Sequence, residues 1–104
     1  MWEDMHIFAT VVEQSSLNRA SQRLNLTQPA LSRKIAKLEE RLGVKLFNRT
    51  GKKLELTRIG RISYDYALQM RQLNRNFVQA IEQYKSGGHS ITIGASLTTL
   101  QSTL

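Results

Sequence analysis

The stretch that decides the fold covers residues 26–47 and reads LTQPALSRKIAKLEERLGVKLF. Its apolar side chains recur at helical spacing and form one stripe: Leu31, Ile35, Leu38 and Leu42. Thr27 is a typical helix N-cap, and Pro29 suits the first turn, where a missing N–H costs little. Gly43 is typical of a helix end. We therefore predict a helix over residues 27–42 with a buried apolar stripe.

The side of this helix opposite the stripe is polar toward its N-terminus. The residues that point away from the stripe are Pro29, Arg33, Ala36, Lys37 and Glu40. Ser32 lies on the shoulder, and Gln28 lies in the exposed first turn. Gln, Ser and Arg side chains hydrogen-bond to base edges, and no bulky apolar side chain stands in their way. This half of the helix is therefore a candidate surface for reading duplex DNA.

Two helices are predicted before it. The first covers about Trp2–Gln14, because apolar residues recur there at helical spacing: Met5, Phe8, Ala9 and Val12. The second runs from about Leu17 to Leu24, with Ser16 as its N-cap. Its buried face is predicted to consist of Leu17, Ala20 and Leu24. Short breaks separate the three helices, as in a helix-turn-helix protein.

The helical spacing of apolar residues is lost between Val44 and Leu56. Two short strands are predicted there, over residues 45–49 and 53–56, around Thr50-Gly51-Lys52. Lys52 and Lys53 give this hairpin a basic tip. Three helices followed directly by a basic hairpin are typical of a winged helix-turn-helix, which we predict over residues 1–60. The predicted fold class is therefore mainly α.

Thr57 is predicted to cap a long linker helix over residues 57–85. Its apolar residues follow a heptad pattern and form a seam: Ile59, Tyr66, Met70, Leu73, Phe77, Ala80 and Tyr84. The seam is too long to be buried on so small a domain, so we expect a partner helix and a homodimer. The alternative is that the seam folds back on a further domain.

A second domain is expected after the long helix. Residues 86–90, Ser-Gly-Gly-His-Ser, are typical of a flexible hinge. Ile91-Thr92-Ile93-Gly94 predicts a strand with nothing in the chain to pair with. We therefore expect residues 91–104 to be the first strand and the start of a truncated α/β domain.

The positive charge is concentrated in one segment. The 104 residues contain 15 Lys and Arg against 8 Asp and Glu, a formal net charge of +7. Twelve of those cations and only three of the acids lie between Leu17 and Arg61. A surface that only confers solubility mixes both signs, whereas this segment is typical of an electrostatic footprint for a polyanion. Double-stranded DNA is the partner that best fits the helix, the hairpin and the charge together.

Composition excludes several other classes. The chain has no cysteine, so disulfides, thiolate zinc sites and cysteine nucleophiles are excluded. No catalytic or metal-ligating set occurs at a telling spacing, and we interpret His6 and His89 as structural. We therefore expect no enzyme, no metal and no cofactor. No apolar run approaches the length of a membrane span or a signal-peptide core, so we expect a soluble, cytoplasmic protein without membrane contact.

Two other functions remain open from the residues alone. The long helix could make the chain an oligomerisation module whose basic surface only solubilises it, and salt-dependent binding to duplex DNA separates the two cases. RNA binding is disfavoured because no exposed aromatic platform is visible, since Phe8 and Phe47 fit core positions.

The chain resembles the N-terminal domain of the LysR-type transcriptional regulators, a large bacterial family. The resemblance covers about residues 5–60 and is carried by Phe8-Ala9-x-Val11-Val12-Glu13-x-x-Ser16, Ala20-x-x-x-Leu24, Leu26-Thr27-Gln28-Pro29-Ala30-Leu31-Ser32-Arg33-x-Ile35-x-x-Leu38-Glu39-x-x-Leu42-Gly43-Val44-x-Leu46-Phe47-x-Arg49 and Leu56-Thr57-x-x-Gly60. The chain departs from the family pattern at Ser21, where alanine is usual, and at Leu17, where phenylalanine is common. Both departures concern packing.

The resemblance implies a sequence-specific regulator of transcription that binds an interrupted dyad as a homodimer, or as a tetramer when full length. It implies that Gln28, Pro29, Ser32 and Arg33 approach bases and phosphates in the major groove, that Arg49 contacts the backbone and that Lys52 enters the minor groove. The remaining candidate DNA-binding residues are Thr27, Lys37, Lys53 and Thr57. The family's second domain binds a small-molecule effector, for which Ser96 and Thr98 are the candidate residues in this chain.

Overall fold

The computed structural model of the chain describes residues 1–49 and 53–87. The elements, in chain order, are α1 (Trp2–Gln14), α2 (Leu17–Leu24), α3 (Gln28–Leu42), β1 (Phe47–Asn48), β2 (Glu55–Leu56) and α4 (Arg58–Gly87). β1 and β2 pair antiparallel, with Phe47 opposite Leu56. The chain divides into two units, Met1–Arg71 and a second unit that begins at Gln72 within α4. The predicted mainly α fold and the order of its elements are confirmed.

The ends of the first three helices follow local backbone chemistry. The Ser16 hydroxyl accepts a hydrogen bond from the Arg19 N–H at 3.1 Å, and the Thr27 hydroxyl accepts one from the Ala30 N–H at 3.2 Å. Each helix ends at a residue with left-handed backbone: Ser15 (φ 56°), Asn25 (φ 56°) and Gly43 (φ 76°). Because these caps depend on neighbours in sequence, their positions are predictable from the sequence.

A small core joins the helices α1, α2 and α3 to the strand pair. Its largest fully buried side chains are Phe8, Val11, Leu31, Ile35, Leu38 and Leu46. The rings of Phe8 and Phe47 meet edge to face, with centroids 5.4 Å apart. The interpretation of both phenylalanines as core residues is therefore confirmed.

Four residues of the predicted apolar stripes are less buried than predicted: Val12, Leu17 and Leu24 are half-buried, and Leu42 is exposed. In α1, Val11 is fully buried and Val12 is only half-buried. Val11, Phe47 and Leu56 line one groove, so the strand pair lies near a second side of α1. Leu42, predicted to be buried, is 38% exposed because the last turn of α3 extends past the core.

Both strands are shorter than predicted, with two residues each instead of 45–49 and 53–56. Leu46 takes part in the ladder with only one of its backbone groups. Its carbonyl accepts from the Thr57 N–H at 2.9 Å, in register with Phe47 opposite Leu56, but its N–H donates to a carboxylate oxygen of Glu39 at 2.8 Å. The pairing therefore stops at Leu46.

The start of α4 is confirmed and its end lies further along the chain than predicted. The Gly60 N–H donates to the Thr57 hydroxyl at 2.9 Å, as expected of an N-cap. Ser86 and Gly87, predicted to belong to the hinge, are helical. The Ser86 hydroxyl donates to the Gln83 carbonyl at 3.4 Å, which is compatible with a continued helix.

The other predicted features of the C-terminal segment lie outside the described residues. They are hinge residues 88–90, the strand at 91–94, and Ser96 and Thr98. Of the helices in residues 1–49 and 53–87, none combines the length and the apolar character needed to cross a membrane.

Candidate nucleic-acid interface

The outer face of α3 presents the polar residues that the sequence places there. Thr27, Gln28, Pro29, Arg33 and Lys37 are exposed, and Ser32 is half-buried. The Thr27 hydroxyl oxygen caps the helix, which leaves its hydrogen free to donate to an anionic oxygen. The first two turns of α3 therefore form an accessible surface with hydrogen-bonding groups of both kinds.

The cations near this surface are not neutralised by the protein's own acids. Within the described ranges, the ion pairs use Arg41 with Asp4 at 2.8 Å, Lys45 with Glu39 at 3.9 Å, and Arg71 with Glu13. The candidate cations, by contrast, have no carboxylate within 4.0 Å in that part of the chain: Arg33, Lys37, Arg49 and Lys53. Their charge is therefore available to neutralise phosphates.

A groove of about 470 Å³ connects the start of α3 with the strand pair. Asn18, Gln28, Arg49 and Lys53 line it, together with residues around the start of α2 and the second strand. The structure thus brings together three candidates that lie up to 25 positions apart in the sequence, Gln28, Arg49 and Lys53. Lys52 lies outside the described residues.

Thr57 has a structural task. Its hydroxyl donates to the Lys45 carbonyl at 2.7 Å and accepts the Gly60 N–H at 2.9 Å. The same side chain therefore caps α4 and attaches it to the loop before β1. Both hydrogen-bonding functions of the hydroxyl are engaged, and its contact with DNA stays a prediction.

Glu39 supports this site structurally, a role that the sequence analysis did not identify. Its carboxylate is buried and accepts the N–H groups of Leu46 at 2.8 Å and Phe47 at 3.2 Å. These bonds fix β1 against the C-terminal half of α3. The available signal was position, since Glu39 follows Ile35 by four residues and so lies at the edge of the apolar stripe.

A second polar cluster, which we call the Glu13 cluster, joins α1 to α4 and consists of Glu13, Tyr64 and Arg71. Arg71 binds the Glu13 carboxylate through both terminal nitrogens, at 2.6 and 3.3 Å, and the Tyr64 hydroxyl donates to it at 3.3 Å. The bond from Arg71 lowers the pKa of Glu13 and raises that of the guanidinium. Partial burial, with the nearby carboxylate, raises the pKa of the Tyr64 phenol.

The predicted seam of α4 is open to solvent. In the first unit Ile59, Tyr66 and Met70 are exposed. In the second unit Leu73 is 67% exposed and Phe77 is 63% exposed, Tyr84 is exposed and Ala80 is half-buried. Val78 and Ile81, which are outside the predicted seam, are also exposed. The apolar surface of this helix is therefore wider than one heptad stripe.

Comparison with known proteins agrees with this geometry. A probable RuBisCO transcriptional regulator of Thalassiosira pseudonana is 35% identical over 102 residues, which is 91% of this chain and 33% of that protein. The HTH-type transcriptional regulator YbhD of Escherichia coli, of uncharacterised function, is 51% identical over 57 residues, 55% of this chain and 18% of that protein. The chain thus spans a third or less of the length of these curated relatives.

Solved structures show the same arrangement. A crystal structure of the BenM DBD in complex with catB site 1 DNA has a TM-score of 0.81 and 32% identity, covering 86% of this chain and 99% of that one. Full-length BenM has a TM-score of 0.74 and 32% identity, covering 79% of this chain and 27% of that one. The family model described as "Bacterial regulatory helix-turn-helix protein, lysR family" matches residues 2–61. The chain therefore belongs to the LysR family of bacterial regulatory helix-turn-helix proteins.

Proposed function

We propose that this chain is the DNA-binding part of a transcription regulator that binds an interrupted dyad as a homodimer, or as a higher oligomer. The observation that carries the proposal is the outer face of α3, where Gln28 and Arg33 are exposed and Arg33 has no carboxylate partner in the described part of the chain. A helix with such a face fits the major groove, where glutamine and arginine distinguish base pairs.

The comparisons support this proposal. Crystal structures of the BenM DBD in complex with catB site 1 and benA site 1 DNA are similar over 86% of this chain. Several curated relatives are named transcriptional regulators, although each is much longer than this chain. A protein with this arrangement of helices is therefore able to dock on a duplex.

Each candidate residue then has a distinct role. Gln28, Ser32 and Arg33 read base edges in the major groove, with Pro29 beside them. The residues assigned to the phosphate backbone are Thr27, Lys37 and Arg49. Lys52 and Lys53 approach the adjacent minor groove from the strand pair, and Thr57 holds α4 in place.

The homodimer is supported by the exposed apolar residues of α4. Leu73 and Phe77 are each more than 60% exposed, and an apolar surface of this kind favours association with a second copy. Two copies would place two recognition helices on one face of a duplex. We further propose a cytoplasmic, non-enzymatic regulator that forms a tetramer when full length and binds a small-molecule effector through the region that includes Ser96 and Thr98.

The test is a pair of matched substitutions on α3. Arg33→Ala should weaken binding to the preferred site by about 1–3 kcal/mol and relax the base preference, because a bidentate contact to a base is lost. Lys34→Ala also removes one cation from α3, but Lys34 shares a helix face with Arg41, which binds Asp4 of α1, so the change should be small.

The measurement is binding to DNA selected from a random pool by the unaltered chain, compared with random duplex and with duplex RNA over a range of salt. Equal losses on selected and random DNA would place Arg33 among the phosphate contacts. A chain without preference for duplex DNA would refute the proposal in favour of an oligomerisation module or an RNA-binding domain.

A further inference from the structure

We propose that the Glu13 cluster is a positioning device, which sets the direction of residues 58–71 of α4 relative to α1–α3. In the dimer it thereby determines which separation between two half-sites the protein accepts. The inference rests on the proposed function, because a separation exists only for a protein that binds two half-sites.

Apolar contacts hold the near end of this segment. A Cβ on Gly60 would clash with the Leu46 carbonyl and lie 3.0 Å from the Leu56 side chain, so the helix backbone lies directly against the chain before β1. Ala67, two turns later, is fully buried. The hydrogen bonds of Thr57 add direction at the start of the helix, so what remains to be held is the tilt of the far end of the segment, around Arg71.

The Glu13 cluster lies at the far end of the same segment. Arg71 follows Ala67 by one turn and is the last residue of the first unit. Its guanidinium binds the Glu13 carboxylate through two parallel bonds, a geometry that fixes angle as well as distance. The Arg71 side chain is only 18% exposed, so water competes weakly for these bonds.

Glu13 makes no hydrogen bond or ion pair to a side chain of its own helix, although His6 of α1 lies near enough to lower its pKa slightly. It lies in the last turn of α1, where the helix dipole disfavours a negative charge, and that turn contains no basic residue. Its ion-pair partner in the described part of the chain is Arg71, which is 58 positions away in sequence. The carboxylate therefore serves a tertiary purpose, and the bond from Arg71 lowers its pKa.

A small opening at the Glu13 cluster is enough to change the half-site separation on DNA. Gly60 and Arg71 are about 16 Å apart along the helix at 1.5 Å per residue. An opening of about 2 Å at the Glu13 cluster would then tilt the segment by about 7°. Across a body about 25 Å wide this tilt moves the far surface by about 3 Å, close to the rise of one base pair. Loss of the Glu13 cluster should therefore widen the range of accepted half-site separations by about one base pair.

The chain contains a matched control. Asp4 and Arg41 form an ion pair at 2.8 Å that joins α1 to α3 and does not involve α4. Asp4→Asn removes the same charge as Glu13→Gln, and Arg41→Gln removes the same charge as Arg71→Gln. Any difference in spacer profile between the two pairs of variants therefore depends on the position of the removed charge and not on its sign.

The experiment uses the 104-residue chain and a pool of duplexes. Each duplex carries two inverted half-sites, taken from DNA selected by the unaltered chain, and the spacers cover one full helical turn. Sequencing the bound fraction gives a spacer profile for each variant, and a single half-site measures base preference separately. Thermal unfolding by circular dichroism confirms that each variant is folded at the assay temperature.

We expect Glu13→Gln and Arg71→Gln to reduce the enrichment of the preferred spacer over neighbouring spacer lengths about five-fold or more, as loss of one partly buried ion pair would. The base preference on a single half-site should be unchanged. The exchange of Glu13→Arg with Arg71→Glu should restore the narrow profile, as a role in stability alone would not require. Tyr64→Phe offers a milder variant if the others unfold.

Two results would overturn the inference. A profile as narrow as that of the unaltered chain would leave the Glu13 cluster without a positioning role, and so would equal broadening in Asp4→Asn. If the unaltered chain binds no paired half-sites at all, the proposed function fails first and the inference falls with it.

Discussion

Replacement of Glu39 by alanine tests how the strand pair is held against α3. The carboxylate accepts two backbone N–H groups, from Leu46 at 2.8 Å and Phe47 at 3.2 Å, and its side chain is 8% exposed. Each N–H left buried without a partner costs about 1–3 kcal/mol. Two such groups cost about 2–6 kcal/mol together, and because water can reach part of the vacated space the sum lies in the lower half of that range. We expect Glu39→Ala to lower the free energy of unfolding by about 3 kcal/mol.

The matched control is the neighbouring residue. Glu40 is exposed, and Glu40→Ala removes the same charge and gains the same helix propensity. It should change the free energy of unfolding by less than about 0.5 kcal/mol. Both N–H groups donate to the same carboxylate oxygen, which the glutamine oxygen can replace, so Glu39→Gln should cost much less than the alanine substitution. Lys45→Ala should have little effect, because the lysine is 79% exposed and 3.9 Å from the carboxylate.

The assay is urea and thermal unfolding followed by circular dichroism. A loss of about 3 kcal/mol corresponds to a fall in Tm of at least about 10 °C for a domain of this size. If Glu39→Ala and Glu40→Ala differ by less than about 0.5 kcal/mol, the two hydrogen bonds do not hold the strand pair and the reasoning is refuted.

Three further predictions concern α4 and its attachments. Gly60→Ala should destabilise the chain by about 1–3 kcal/mol despite the better helix propensity of alanine, because the new methyl group meets the Leu46 carbonyl; equal or higher stability in urea unfolding would contradict this. Leu73→Asp combined with Phe77→Asp should give a folded monomer with weaker and less site-selective DNA binding, whereas sedimentation that shows the unaltered chain to be monomeric while it protects both halves of a dyad would disprove the dimer. Because the pKa of Glu13 is lowered in the folded chain, its contribution to stability is complete above about pH 5 and is lost as the pH falls through the folded-state pKa. The difference in the free energy of unfolding between the unaltered chain and Glu13→Gln should therefore shrink in acid. A difference independent of pH would exclude this linkage.

The sequence predicted the features that depend on near neighbours. The caps at Ser16, Thr27 and Thr57 lie where the sequence places them, since a hydroxyl three residues before an N–H acts without tertiary help. The reading face of α3 was also predictable, because a clear apolar stripe determines which residues point the other way.

Features set by contacts distant in sequence were not predictable. Glu39 lies at the edge of the apolar stripe, but nothing local indicates that the backbone of Leu46 and Phe47 folds back on its carboxylate. Glu13 and Arg71 lie 58 positions apart, and no local periodicity connects them. The strands were predicted too long for the same reason, since propensity does not reveal that backbone groups near β1 already have other partners.

The way in which the first three helices end, each at a residue with left-handed backbone, has a consequence for how such proteins acquire new binding sites. Ser15, Asn25 and Gly43 end their helices through backbone geometry, so the turns on either side of α2 do not depend on what the outer face of α3 carries. Gln28 and Arg33 are exposed and take no part in the core, so replacing them costs little stability. A gene duplicate could therefore change its target sequence one exposed residue at a time while its descendants inherit the same scaffold.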